Sequence, residues 1–155
     1  MRKLLTSGLV LAGVVSLPTK ISRDQAPPAP DYRLDGRLKS LQKFFHDTDC
    51  PAQHYSEAFL ETADAYDLDW RLLPSISFVE STGGKAAKNN NLFGWESGRA
   101  SFDSPVAGIN VVGYRLTHSS LYRDKNVDEI LATYNPDSEY AERVKFVMRR
   151  ISRSE

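Results

Sequence analysis

Apolar residues recur at helical intervals along the chain from Leu34 onward. Leu34, Leu38, Leu41 and Phe45 follow one another at spacings of three and four residues. These spacings place side chains on one face of an α-helix. The pattern predicts a first amphipathic helix whose apolar face lies against a core.

Further apolar stripes and cap residues predict five more helices. Pro74 is tolerated only in the first turns of a helix, so the third helix is expected to start near Arg71, after the capping residue Asp69. The stripes are Tyr55, Phe59, Ala63 and Tyr66; Leu72, Leu73, Ile76 and Val79; Val106, Ile109 and Leu116; and Tyr140, Val144, Val147 and Ile151. The other starts are Pro51, Ser104–Pro105, a capping box from Asn126 to Glu129 that opens a short helix, and Asn135–Pro136 or Asp137.

Only one segment favours β structure. Between Leu92 and Phe102, the four residues from Glu96 to Arg99 suit the turn of a small hairpin. No strong alternation and no internal repeat is present elsewhere. We predict a mainly α fold of one domain, with an irregular loop or a small β-hairpin in this segment.

The N-terminal residues predict export. Arg2 and Lys3 precede an apolar run from Leu4 to Leu17 that is too short for a comfortable membrane span. Residues 1–18 are therefore assigned as a signal peptide or, alternatively, an uncleaved N-terminal anchor that tethers the protein to the membrane. Residues 19–33 are Pro-rich and form a predicted linker, and residues 34–155 form the domain. Either alternative places the domain in the periplasm or cell envelope.

Composition excludes several classes of function. Lys and Arg together number 20, as do Asp and Glu, so no basic surface predicts a nucleic-acid partner. Cys50 is the only cysteine, which excludes an intramolecular disulfide. His46, His54 and His118 are scattered. We predict no metal and no cofactor.

Glu80 is the chief candidate for chemistry. It follows Ile76 by four residues and Leu73 by seven, so it projects close to the buried stripe. Burial raises the pKa of a carboxyl group, and a carboxylic acid that keeps its proton can protonate a glycosidic oxygen. Gly83 and Gly84 leave room for a bulky ligand beside the helix end. The structural alternatives are a glutamate that turns outward to solvent and a plain glycine C-cap.

The loop that follows carries groups suited to sugars. Asn89, Asn90 and Asn91 offer amide donors and acceptors, and Phe93 and Trp95 offer flat faces for sugar rings. The alternative places both aromatic side chains in the core, where they would hold the loop. We favour the core for Phe93, and both interpretations stay open for Trp95.

Three motifs resemble the glucosaminidase family of peptidoglycan hydrolases, within the lysozyme-like superfamily that includes the soluble lytic transglycosylases. The motifs are Glu80-Ser81 in an apolar helix, the run Asn90-Asn91-Leu92-Phe93-Gly94, and Tyr134 ahead of Pro136, Tyr140 and Ala141. The resemblance spans roughly Asp69 to Ile151 and implies a lysozyme-like fold. It departs from the family where Thr82-Gly83-Gly84 follows the Glu-Ser pair and where Trp95-Glu96 follows Leu-Phe-Gly. These departures leave open which bond is cleaved.

The resemblance also implies roles for individual residues. Glu80 would be the general acid and Tyr134 the late catalytic-site tyrosine. Ser81 would orient the substrate. The remaining predicted substrate-binding residues are Asn91, Phe93, Trp95 and Asn135, although Asn135 is most simply an N-cap.

The expected activity is that of a glycoside hydrolase acting on glycan strands of bacterial peptidoglycan. It would cleave β-1,4 bonds as an endo-β-N-acetylglucosaminidase does. Glu96 and Asp103 are candidates for a second carboxylate, and the acetamido oxygen of the substrate is the alternative. Two rival interpretations are a lytic transglycosylase that leaves 1,6-anhydromuramyl ends and a non-catalytic peptidoglycan-binding module.

Overall fold

The computed structural model describes residues 30–153, which fold into a mainly helical domain, and this confirms the mainly α prediction. Two short 3-10 helices, Tyr32–Leu34 and Pro51–Tyr55, precede α1 and α2. The helices are α1 (Gly36–Asp47), α2 (Ser56–Ala65), α3 (Leu72–Ser81), α4 (Pro105–His118), α5 (Val127–Tyr134) and α6 (Ser138–Ser152). Within residues 30–153, no helix is both long enough and apolar enough to cross a lipid bilayer.

The domain begins slightly before its predicted boundary. The compact unit starts at Asp31, and Tyr32 is only 3% exposed. The Tyr32 hydroxyl donates a 2.9 Å hydrogen bond to Asp64 of α2, and Arg37 bonds to both Asp64 and Asp35. Residues 31–33, which the sequence assigned to the linker, therefore pack as part of the domain. The predicted signal segment and the rest of the linker lie outside the described residues.

The predicted helix starts are largely correct. Helix α3 begins at Leu72, next to the predicted Arg71, with Pro74 in its first turn. Asp69 is not its N-cap, because Arg71 occupies that position; the Asp69 carboxylate instead accepts a hydrogen bond from the backbone nitrogen of Arg71 in the preceding turn. This geometry satisfies a free N–H group while the proline occupies a position that needs no donor. The other confirmed starts are Ser104 as the cap of α4, the Asn126–Glu129 capping box of α5, and Asp137 as the cap of α6.

Leu34 does not belong to the first apolar stripe. It is 89% exposed, because α1 starts two residues later, after the cap Asp35. Asp35 accepts a hydrogen bond from the backbone nitrogen of Arg37 and so fixes the first turn. The remaining stripe residues, Leu38, Leu41 and Phe45, are buried as predicted.

The hairpin alternative for residues 92–102 is wrong. Residues 30–153 contain no β-strand, and the only pairing near this loop is an isolated bridge between Lys88 and Asn91. Glu96 and Ser97 both adopt positive φ, at 55° and 58°. The backbone bonds around them are local: the nitrogen of Gly98 donates to the carbonyl oxygens of Gly94 and Trp95, and that of Arg99 donates to Glu96. These bonds close successive turns and leave no paired arms, so the loop is irregular.

The core lies between α3 and the surrounding helices. Leu72, Leu73 and Ile76 of α3 are fully buried, and α3 packs against α6. Phe59 of α2 contacts Phe93 of the loop, with ring centroids 6.4 Å apart. The loop after α3 is thus anchored in the core, and this anchoring positions the segment that faces Glu80.

Helices α2 and α4 approach each other closely at Gly113. A Cβ atom at this position would lie 2.3 Å from Cγ2 of Thr62, a distance that real Cβ atoms do not reach. Thr62 is β-branched and buried, so its side chain has little freedom to move away. Glycine is therefore required at this crossing.

We expect Gly113→Ala to lower the free energy of unfolding by about 1–3 kcal/mol, because the added methyl group overpacks the α2–α4 contact. Urea denaturation followed by circular dichroism measures the change. Gly36→Ala is the matched control, since nothing lies within 4 Å of a Cβ atom there. That variant should be unchanged or slightly more stable. Equal stabilities for the two variants would contradict the close approach.

Candidate active site around Glu80

Glu80 lies in the last turn of α3, immediately before a sharp chain reversal. Thr82 caps the helix in the left-handed region with φ of 53°, and Gly83 follows at 59°. A Cβ atom at Gly83 would lie 2.8 Å from Cβ of Cys50, and one at Gly84 would lie 2.9 Å from Cδ2 of Leu92. The two glycines therefore let the chain turn at the end of α3 and pack closely there, in agreement with the C-cap alternative.

Gly94 brings the returning loop against the Glu80 carboxyl group. It has a φ of 60°, and a Cβ atom there would lie 2.6 Å from Oε2 of Glu80. Only glycine lets the backbone approach so closely in this conformation. The loop thus covers one side of the carboxyl group.

Two buried polar side chains hold the loop in this position. Ser81 Oγ donates to the carbonyl oxygen of Leu92 at 2.7 Å and accepts from the nitrogen of Gly84 at 3.0 Å. Asn91 Oδ1 accepts from the nitrogen of Trp95 at 3.0 Å, and its Nδ2 donates to the carbonyl oxygens of Trp95 and Ala100. These bonds satisfy both side chains, so the loop geometry is strongly specified.

The environment of Glu80 favours its protonated form. The side chain is half-buried, and this burial raises the pKa of Glu80 above its ordinary value. The nearby hydroxyl of Tyr140 and the positive charge of Arg143 act in the opposite direction and limit the rise in pKa. A carboxyl group in these surroundings holds a proton to a higher pH than an exposed glutamate does.

Two tyrosines lie next to Glu80 in different hydrogen-bonding states. The Tyr134 hydroxyl donates to the carbonyl oxygen of Phe93 at 2.5 Å. The Tyr140 hydroxyl is buried and has no partner at strict hydrogen-bond geometry among the described residues, although it faces Glu80 closely enough to influence its pKa. Their rings are nearly parallel, 5° apart in plane, with centroids 5.9 Å apart. Tyr140 is thus the tyrosine whose hydroxyl is available to the carboxyl group.

Burial and the nearby Glu80 carboxyl also raise the pKa of both tyrosines. For Tyr134 burial is the larger cause and Glu80 the next, and the same order holds for Tyr140. Both hydroxyl groups therefore stay protonated at neutral pH. They can act as hydrogen-bond donors but not as anionic groups.

Two open depressions lie near Glu80, although Glu80 itself lines neither of them. The first, of about 360 Å³, is lined by Gly94, Trp95, Glu96, Ser97, Arg115, Leu121, Tyr122 and Tyr134. The second is an apolar groove of about 870 Å³ between α3 and α6, where Phe78, Val79, Arg143 and Phe146 are among the lining residues. Gly94, which abuts the Glu80 carboxyl group, lines the first depression, and Arg143, whose charge acts on that carboxyl group, lines the second. Both depressions therefore border residues that contact or influence Glu80.

The predicted site residues fall into two groups. Glu80, Trp95 and Tyr134 lie together, and Trp95 packs against Tyr134 with ring centroids 5.6 Å apart. Ser81, Asn91 and Phe93 are buried, and their contacts are with the protein itself. Their predicted role in binding substrate stays a prediction, and the structure gives them a positioning role. The core interpretation of Phe93 is confirmed.

Asn135 is not the N-cap of α6. Asp137 occupies that position, and its side chain accepts from the nitrogen of Glu139. Asn135 instead ends α5, and its Oδ1 accepts from the nitrogen of Asp137 at 3.0 Å. Its half-exposed position beside Tyr134 leaves the predicted binding role as a prediction.

Sequence reasoning did not single out Tyr140, Arg143 or Gly94 as parts of the site. Tyr140 was assigned to the core because it belongs to an apolar stripe of α6. A signal was present, since a tyrosine in a buried stripe has a hydroxyl that needs a partner. Arg143 lies one turn further along the same helix and bonds to Asp137 at 3.3 Å.

The chain matches no model of a known protein family and no curated protein. Its function is therefore inferred from the geometry and electrostatics of the site.

We expect Tyr134→Phe and Tyr140→Phe to differ in stability. Tyr134→Phe leaves the buried carbonyl oxygen of Phe93 without its donor and should lower the free energy of unfolding by about 1–3 kcal/mol.

Tyr140→Phe removes a hydroxyl group that has no hydrogen-bond partner among residues 30–153, so its free energy of unfolding should be nearly unchanged. It should raise the pKa of Glu80, because an interaction that lowers this pKa is lost. Chemical denaturation and carbon-13 titration of the Glu80 carboxyl test both points, and an unchanged Glu80 pKa in Tyr140→Phe would contradict the contact.

We expect Glu80→Gln to become increasingly more stable than the parent as pH rises. The folded pKa of Glu80 lies above its unfolded value, so ionisation is less favourable in the folded state. Glu80 therefore contributes fully to stability below the unfolded pKa, and this contribution is lost as pH rises through the folded pKa. Denaturation at a series of pH values measures the difference between the two proteins. Glu57→Gln, at an exposed position of α2, controls for the loss of one carboxyl group elsewhere on the domain.

Proposed function

We propose that this protein cleaves β-1,4-glycosidic bonds in bacterial peptidoglycan, with Glu80 as the general acid. The observation that carries the proposal is the Glu80 carboxyl group, half-buried against Gly94, with a raised pKa and with an open depression nearby that Gly94 and Tyr134 line. Glycoside cleavage requires a carboxylic acid that is still protonated when the substrate binds. The lysozyme-like fold and the relation to glucosaminidases are parts of the same proposal.

In the proposed reaction, Glu80 donates its proton to the leaving glycosidic oxygen as positive charge develops on the sugar ring. The carboxylate that remains is stabilised by the positive charge of Arg143 and by the nearby hydroxyl of Tyr140, the two groups that lower the pKa of Glu80. Before proton transfer the same two groups limit the rise in pKa that burial causes. Tyr134 donates a hydrogen bond to the carbonyl oxygen of Phe93 in the loop, and its side chain lines the depression in which the reacting sugar would lie.

A second group must stabilise the positive charge that develops on the sugar ring. Glu96 lines the same depression as Gly94 and Trp95, whereas Asp103 lines none of the five depressions described around residues 30–153. Glu96 is therefore the better candidate for a second carboxylate. If Glu96 does not act, the acetamido oxygen of the substrate takes this role, and the products distinguish a hydrolase from a lytic transglycosylase.

We expect Glu80→Gln to lower the rate of release of soluble fragments from purified peptidoglycan by about 10²–10⁴-fold, the usual contribution of a general acid. Chromatography with mass spectrometry measures the fragments. It also separates hydrolysis from 1,6-anhydro products, which are lighter by one water. Glutamine keeps the shape of the side chain and removes only the acidic proton.

Asp103→Asn is the matched control, because it removes an exposed acid outside the depressions near Glu80. Its rate should equal that of the parent. Glu96→Gln tests the second carboxylate and should lower the rate only if Glu96 acts. A Glu80→Gln protein as active as the parent would refute the proposed mechanism. A parent that binds peptidoglycan and releases nothing would favour the non-catalytic alternative.

A further inference from the structure

The depression beside Glu80 continues along the outer face of the loop and α4. Beyond the 360 Å³ depression lies another of about 290 Å³, and both are lined by Trp95, Glu96 and Arg115. The second also includes Arg99, Phe102 and Val111. We call the two together the Trp95 trough. The three shared lining residues make the two depressions neighbours on one surface.

Arg115 lies at the point where the two parts of the trough meet. It follows Val111 by four residues on α4, so both side chains are on one face of this helix. Arg115 is exposed and forms no ion pair with any residue in the range 30–153. Glu96, the acid that shares both parts of the trough, is therefore not engaged with it. The guanidinium group is available to a ligand in the trough.

The charges along the trough favour an anionic ligand over a neutral one. Arg99 and Arg115 contribute two positive charges, and Glu96 contributes one negative charge. The whole chain has a formal net charge of zero, so this local excess is a property of the trough. A planar guanidinium group binds a carboxylate with two parallel hydrogen bonds, which adds specificity to the charge attraction.

We propose that Arg115 is a specificity-determining residue that binds a carboxylate carried by the glycan, so that the enzyme prefers acid-substituted strands to neutral ones. This inference rests on the proposed function. A sugar ring stacked on Trp95 would carry its substituent towards Arg115, since both residues line the same two depressions. In peptidoglycan the carboxylate comes either from the lactyl ether of a muramic acid that carries no peptide or, where a peptide is attached, from that peptide. A chitin-type strand offers neither.

The test compares the parent with Arg115→Gln, Arg115→Lys and Arg123→Gln. Arg123 is an exposed arginine that lines neither part of the trough, so it controls for loss of one positive charge. Each protein is assayed on intact peptidoglycan, on peptide-free glycan strands that keep the lactyl carboxylate, and on neutral chito-oligosaccharides. Thermal unfolding verifies that the variants are folded.

We expect Arg115→Gln to lower kcat/KM on carboxylate-bearing strands by about three- to tenfold and to leave kcat/KM on chito-oligosaccharides unchanged. Arg115→Lys should keep part of the preference, and Arg123→Gln should keep all of it. Raising the salt concentration should reduce the preference of the parent and not that of Arg115→Gln, because screening weakens exposed charge pairs. A loss on intact peptidoglycan alone assigns the carboxylate to the peptide. A loss on peptide-free strands alone assigns it to the lactyl group, whose carboxylate is free only where no peptide is attached, and a loss on both shows that Arg115 binds either carboxylate.

The inference and the proposed function fail in different ways. An active parent whose preference is the same in Arg115→Gln overturns the role of Arg115 and leaves the proposed function intact. A parent that cleaves none of the strands overturns the proposed function. In that case, co-sedimentation with insoluble peptidoglycan and with chitin decides the role of Arg115. If the ratio of peptidoglycan-bound to chitin-bound protein is the same for the parent and for Arg115→Gln, the proposed role of Arg115 is overturned.

Discussion

The contact between Gly94 and the Glu80 carboxyl group is the constraint on which the site depends. Half-burial of the carboxyl raises its pKa, and part of that burial comes from the backbone that lies against Oε2. The loop stays there because Ser81 and Asn91 bond its carbonyl and N–H groups from within. If the loop moved away, water would reach Glu80 and its pKa would fall towards that of an ordinary glutamate. The acidity of one side chain thus depends on two buried polar residues that touch no solvent.

The same arrangement places unfavourable features side by side. Glu80 is half-buried although it is ionisable, and the Tyr140 hydroxyl beside it is buried without a hydrogen-bond partner among residues 30–153. Each reduces the stability of the fold relative to an apolar core. Such local costs are common where side chains are arranged for binding or chemistry rather than for packing. Their coincidence at one helix end is a physical reason to place function there.

The sequence was most informative where local chemistry decides the structure. The capping box at Asn126 and the position of Glu80 next to a buried stripe follow from spacing along a helix, and both hold in the structure. The irregular loop depends on the hydrogen bonds of Asn91 to partners four and nine residues away, which no periodicity reveals. The choice between Tyr134 and Tyr140 depends on how α5, α6 and the loop pack together. Sequence therefore located the acid and not the hydroxyl that faces it.

The intrinsic fluorescence of Trp95 can report ligand binding in the trough. The chain has two tryptophans, and Trp70 lines neither part of the trough but lies near Arg71, with the guanidinium carbon 6.0 Å from its ring centroid. Trp95 is half-buried among Tyr122 and Tyr134, whose ring centroids lie 6.1 Å and 5.6 Å away. A ligand that stacks on its exposed face would exclude water from the indole and shift its emission. Occupancy of the trough is thus accessible to fluorescence without any attached dye, whether or not the bound ligand is cleaved.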